Sequence, residues 1–153
     1  MNPDVKICGF KEKDAIDIVR LHKENSMYFE EMDVTQEFII NLSRRCDFKL
    51  FVASLNNRLV GFMGVLYHPG VGRGEIGPIG ASMVFRNQGI GTKLLNCGIS
   101  FLKQNHIKRV IVRVKSDNDV GLKFFLKHGF TKEAYFGNYT LAGEEVIQLV
   151  RFI

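Results

Sequence analysis

The sequence predicts an α/β fold built on one mixed sheet. Three observations carry this. Strand-like and helix-like runs alternate in the order β-α-α-β-β-β-α-β-α-β-β. The pair Asn56-Asn57 separates two β-rich runs, as a two-residue hairpin turn would. A strand-like run, IGASMVF, leads through Gly89-Ile90-Gly91 into a run with its apolar residues near one side.

Each element has its own signal. DVKICGF predicts a short first strand. From Lys11 to Lys23, the residues Ala15, Ile16, Ile18, Val19 and Leu21 predict a helix with one buried face. NSMYFEEMDV breaks the pattern, and TQEFIINLSRR predicts a second helix opened by Thr35. KLFVASL and RLVGFMGVLYH form the predicted hairpin. HPGVGRGEIGP is expected to be a glycine-rich loop, and IGASMVF the next strand. GIGTKLLNCGISFLKQN is a helix, and KRVIVRV is a β-branched strand. Ser116 is expected to cap a following helix, with Asp119 three positions on and Gly129 as its stop. FTKEAYFG and EEVIQLVRF then pair as closing strands. With no repeat and no linker, residues 1–153 are expected to form a single domain.

Composition narrows the function. Hydrophobic residues make up 46% and charged residues 24% of the 153, the profile of a soluble globular chain. The formal net charge of +5 suits an anionic small molecule as well as nucleic acid. The basic residues are not interleaved with aromatics along one face, which argues against nucleic acid. Cys8, Cys46 and Cys97 are odd in number and widely spaced, so reduced thiols, a cytoplasmic location and no metal site are expected. No apolar run approaches the ~20 residues of a membrane span, and MNPDVKICGF is too short and polar for a signal peptide.

The stretch Arg86-Asn87-Gln88-Gly89-Ile90-Gly91 carries the sharpest signal. A strand running into a helix N-terminus presents unpaired N–H groups and the positive end of the helix dipole. Glycines there keep side chains from blocking a phosphate, and Arg86 adds a cation. The same glycines would also allow close helix–strand packing. A second pattern, Gly72-Arg73-Gly74-Glu75-Ile76-Gly77, has dinucleotide-loop spacing, but Pro78 and a β-like run follow where that motif needs a helix. It is expected to be a chance match in a mobile loop. Gly91-Thr92-Lys93 has P-loop letters in the wrong order.

Residues 86–91 resemble the coenzyme A signature R/Q-x-x-G-x-G/A of the GCN5-related N-acetyltransferase (GNAT) family. A second stretch, KRVIVRVKSDNDVGLKFFLKHGF, is similar to the family's strand–Asn–helix–Gly-Phe segment, through Asn118, Phe125 and Gly129-Phe130. The resemblance runs over nearly the whole chain. It implies the acyl-CoA N-acyltransferase fold, a mixed and centrally splayed sheet flanked by helices. It also implies acetyl-CoA as co-substrate and direct attack by an amine.

The resemblance places the parts. IGASMVF and KRVIVRV would splay apart, and the pantetheine arm would pair with backbone groups of Ala81, Ser82 and Met83. Met83 stands where the family often has Pro. The pyrophosphate would sit on the amides from Gln88 through Gly89, Ile90, Gly91 and Thr92 to Lys93, beside Arg86 and Asn87. Asn118 would hydrogen-bond the arm; read alone, it is a helix cap. Phe125 occupies the position where relatives often have a tyrosine that protonates the leaving thiolate. A thiol with a pKa of about 8.5 leaves readily without that acid.

Candidate bases are Glu75, Glu30, Glu31 and His68, each of which is also an ordinary solvated loop residue. Tyr28, Tyr135 and Tyr139 would border the acceptor, and Tyr139 could replace the missing hydroxyl. The acceptor loops are expected at residues 24–36, 66–77 and 135–144. The reading is an N-acetyltransferase acting on an amine of a small molecule or peptide, as monomer or homodimer. The alternative is a coenzyme A-binding sensor or interaction module without catalysis.

Overall fold

A computed structural model describes residues 4–30 and 33–153. Its strands are β1 (Lys6–Gly9), β2 (Phe48–Leu55), β3 (Arg58–His68), β4 (Arg73–Ala81), β5 (Arg109–Lys115), β6 (Thr131–Phe136) and β7 (Val146–Phe152). Its helices are α1 (Ala15–Glu24), α2 (Gln36–Ser43), α3 (Ile90–Gln104) and α4 (Asp119–Lys127). The strands form one sheet in the order β1-β2-β3-β4-β5-β7-β6. Every neighbouring pair is antiparallel except β4–β5.

Local signals explain most of the boundaries. The Thr35 hydroxyl accepts from the Phe38 N–H at 3.1 Å and starts α2. Asn56 and Asn57 both take positive φ, which matches the twist of the β2–β3 hairpin. Gly129, at φ +87°, closes α4 with a Schellman motif. Its N–H donates to the Leu126 carbonyl and the Phe130 N–H donates to the Phe125 carbonyl. The accompanying apolar contact is Phe125 against Phe130, with ring centroids 5.3 Å apart.

Three expectations are corrected. The glycine-rich run after His68 is not a mobile loop: a short turn at Pro69–Val71 leads straight into β4, and Gly74 to Gly77 lie within that strand. The reason is packing, since a Cβ on Gly74 would come within 2.9 Å of Leu102 on α3. Glycine here admits a helix rather than marking a break. The strand expected over 79–85 is the end of this same β4, which stops at Ala81, and Met83–Phe85 form a 3-10 turn. The cap of α4 is Asn118, not Ser116; the Asn118 side chain accepts from the Gly121 N–H at 2.9 Å.

Two apolar layers cover the sheet. Leu94, Leu95 and Leu102 of α3 and Phe125 of α4 pack with Met63, Val65, Ile76, Val110 and Val112. Ile18 and Leu21 of α1 and Ile39 of α2 pack with Leu50 and Phe62 on the other side. Between them the sheet parts. Arg73 to Ile76 of β4 pair with Arg109 to Val112 of β5. Beyond that register β4 continues beside β3 to Ala81, while β5 continues beside β7 to Lys115. The peptide before Pro78 is cis, and Pro78 has no N–H to offer a neighbouring strand.

Gly129→Ala would force a Cβ into the left-handed region. It is expected to cost about 1–2 kcal/mol and to lower Tm by a few degrees in thermal unfolding. An unchanged Tm would mean that the turn does not hold Phe130 against Phe125.

Candidate active site

Where β4 and β5 part, a cleft of about 500 Å³ opens. Its walls are Ile76 to Ala81 on one side and Val112 to Val114 on the other. The start of α3 closes one end, Phe124 and Phe125 of α4 and its C-cap His128 form the floor, and Asn25, Tyr28 and Phe29 reach in from the end of α1 and the turn after it.

The α3 end is suited to an anion. Gly89 is the N-cap at φ +78°, and no side chain caps the helix. The first intrahelical bond runs from the Lys93 N–H to the Gly89 carbonyl. The amides of Ile90, Gly91 and Thr92 precede it and are the orphan donors of the first turn. All three residues line the cleft, as do Gly89 and Asn87. A Cβ on Gly91 would lie 3.3 Å from the Phe124 ring, so this glycine also serves the packing of α3 on α4.

Not every expected residue is there. Ser82 turns its N–H to the Val60 carbonyl across β3, at 2.8 Å, and does not line the cleft. That parity turns the backbone groups of Ile79 and Ala81 toward the cleft and those of Gly80 away. Met83 sits in the 3-10 turn outside the lining, whereas Ile79 is within it. Gln88 is exposed and outside the lining. The Lys93 ammonium reaches the Val5 carbonyl instead. Arg86 does line the cleft, but its guanidinium donates to Asn25 Oδ1 at 2.6 Å and lies 5.3 Å above the Tyr28 ring. Asn118 lines the cleft as a cap, with Oδ1 engaged. Phe125 lines it too and is 3% exposed.

The candidate bases separate. Glu75 lies outside this cleft, at the rim of a neighbouring apolar cavity of about 230 Å³. Its carboxylate accepts from Arg113 Nη1 at 2.9 Å, and Arg113 lines the cleft. Gly77 and Pro78 form a wall common to both spaces. His68 pairs with Arg73 at the far end of β4 from the cleft. Glu30 is exposed and is not in the lining. Glu31 falls outside the described residues. Tyr139 is not in the lining; its ring stands 5.7 Å from the Arg113 guanidinium. Tyr135 is exposed, with its hydroxyl pKa raised by a hydrogen bond to Glu145.

Sequence reasoning passed over two groups. Asn25 ends α1 and is buried. His128 has Nδ1 2.7 Å from the Phe124 carbonyl and Nε2 3.1 Å from the Thr92 hydroxyl. A carbonyl only accepts, so Nδ1 carries a proton and donates to Phe124, while Nε2 faces the Thr92 hydroxyl. This ties the first turn of α3 to the last of α4. A lone Asn and a lone His have no spacing pattern that would have revealed either contact.

The cations behind the cleft are partnered. Lys115 is 7% exposed; its ammonium donates to the Met27 carbonyl at 3.1 Å and pairs with Glu144 at 3.1 Å. The Lys115 hydrogen bond and then that of Thr140 hold the Glu144 carboxyl below its ordinary range. Among the described residues no group of three or more His, Cys, Asp and Glu is placed to hold a metal, and no helix is long and apolar enough to cross a membrane.

Residues 16–130 match the model of the Acetyltransferase (GNAT) family. The chain belongs to this family. Its GNAT fold is shared with Ard1 from Thermoplasma volcanium, 24% identical, with a TM-score of 0.86 over 97% of each chain. A ribosomal-protein-alanine N-acetyltransferase from Brucella melitensis superposes with a TM-score of 0.84 over 97% of this chain and 99% of its own, at 15% identity. N-alpha-acetyltransferase 30 of Schizosaccharomyces pombe is 26% identical over 105 residues, 67% of this chain and 70% of that protein. GNAT enzymes use acetyl-CoA as co-substrate.

Two outcomes are expected. Gly89→Glu projects into open space, because nothing lies within 4 Å of a Cβ there, but it puts a carboxylate over the α3 amides. The fold should persist at a cost of about 1–2 kcal/mol for the positive φ, and thermal stabilisation by acetyl-CoA should vanish. Retained stabilisation would remove the pyrophosphate from this helix end. For Glu144, a lowered folded pKa means its stabilisation is complete above the ordinary carboxylate range and is lost as pH falls through the folded value. Glu144→Gln should therefore lower Tm at neutral pH and leave it nearly unchanged at acidic pH; equal losses at both would sink the ion pair.

Proposed function

We propose that the protein transfers the acetyl group of acetyl-CoA to the amine of a small-molecule or peptide acceptor by direct attack, with residues 1–153 acting as one catalytic domain. The observation that carries this reading is the parting of β4 from β5 directly above the uncapped start of α3. The amides of Ile90, Gly91 and Thr92 would hold the pyrophosphate. The cleft-facing backbone of Ile79 and Ala81 would pair with the pantetheine arm as an added strand, and the Asn118 amide group would reach the arm from β5's end.

In the transfer, the amine lone pair forms the C–N bond and the C–S bond breaks, releasing the coenzyme thiolate. The amine gives up one proton, through water, to a carboxylate; Glu75 is the candidate, held beside the cleft by Arg113. A strand N–H of β4 would donate to the oxyanion. Phe125 has no proton to give, so the thiolate departs unprotonated or takes a proton from water or from a tyrosine. Tyr28, which lines the cleft, is better placed for this than Tyr139. The Schizosaccharomyces pombe relative carries the name of an N-alpha-acetyltransferase, which supports including peptides with free α-amines among the acceptors tested.

The test is free-thiol release from acetyl-CoA with a panel of amines and short peptides. Turnover with at least one amine is expected; coenzyme A binding without turnover on any of them would favour the sensor or interaction module. On the acceptor that works, Glu75→Gln should lower kcat by about 10²–10⁴-fold if Glu75 is the base. Phe125→Tyr should change kcat by about tenfold at most, and a thousandfold gain from near zero would mark the natural chain as inactive.

A further inference from the structure

Asn25 joins three parts of the site. It is 3% exposed at the end of α1. Its Nδ2 donates to the Leu21 carbonyl at 2.8 Å and to the Ala81 carbonyl at 3.1 Å, and its Oδ1 accepts from Arg86 at 2.6 Å. Ala81 is the last residue of β4, and its backbone groups face the cleft. Asn25 therefore holds the final cleft-facing carbonyl of the strand. Arg86 meanwhile covers the Tyr28 ring, three residues beyond Asn25.

We propose that Asn25 and Arg86 are positioning residues, forming a latch that holds the Ala81 end of β4 and the Tyr28 turn as one rigid edge for the pantetheine arm. Arg86 acts through Asn25, not on phosphate. A charge-assisted bond to Oδ1 polarises the amide and strengthens what Nδ2 donates to Ala81. The guanidinium has one N–H bonded to Asn25 and its face on Tyr28, whereas the α3 amides can receive a pyrophosphate with no side chain at all. The inference rests on the acetyl-CoA reading above and adds which end of the coenzyme these residues serve.

Calorimetric binding of coenzyme A and of 3′,5′-ADP tests it, because the second ligand has the phosphates and no arm. Arg86→Met should weaken coenzyme A by about tenfold and leave 3′,5′-ADP unchanged. Asn25→Asp keeps a partner for Arg86 but cannot donate to Ala81, so it should reproduce the loss. The double variant should lose no more than either single one, as members of one unit do. A parallel loss of 3′,5′-ADP in Arg86→Met would overturn the latch and return Arg86 to the phosphates. Unchanged coenzyme A affinity in both single variants would also overturn it while leaving the acetyl-CoA reading intact. A wild-type protein that binds neither ligand would overturn both.

Discussion

Everything in the site depends on one interrupted pairing. Two parallel strands that kept their ladder would satisfy each other's backbone groups and leave nothing for a ligand. Here the ladder ends at Ile76 and Val112. Past that point each strand keeps only its outer neighbour, β3 or β7, so each has one bonded edge and one edge facing the gap. An exposed strand edge is a hazard in most folds. Here the edge of β4 lies in a cleft flanked by Asn25 at the end of α1 and by Phe124 and Phe125 of α4.

The elements around the gap are closely packed. Gly74 lets α3 press against β4, and Gly98 lets it press against Met63, whose Cε would lie 2.3 Å from an added Cβ. The Thr92–His128 contact fastens α3 to α4 beneath the cleft. The Gly129 turn seats Phe130 against Phe125 and so fixes the floor. Phe125 is thus a packing residue of the floor as well as part of its lining.

Charge is distributed with the same economy. A formal +5 suggests a basic surface, yet several cations of β5 and the glycine loop have partners. Arg113 pairs with Glu75, Lys115 with Glu144, Arg109 with Glu133, and Arg86 bonds Asn25. Partly exposed pairs of this kind contribute little to stability. Their effect is to fix the orientation of these side chains on the sheet.

The sequence by itself determined the element order, the Asn56-Asn57 hairpin, the Thr35 cap and the glycine loop before α3. These are short-range effects: a φ sign, a cap, a period of apolar residues. It misjudged the run around Gly74, because a glycine that admits a neighbouring helix looks the same as a glycine that breaks a strand. It placed Arg86 beside the α3 amides, where Arg86 does line the cleft, but could not show its side-chain partner. Only the tertiary structure decided that Arg86 bonds Asn25, 61 residues away, and that Glu75 meets Arg113, 38 residues away. Side-chain direction is set by which strand edge and which sheet face a residue occupies, and those follow from register and helix docking, which no local pattern encodes.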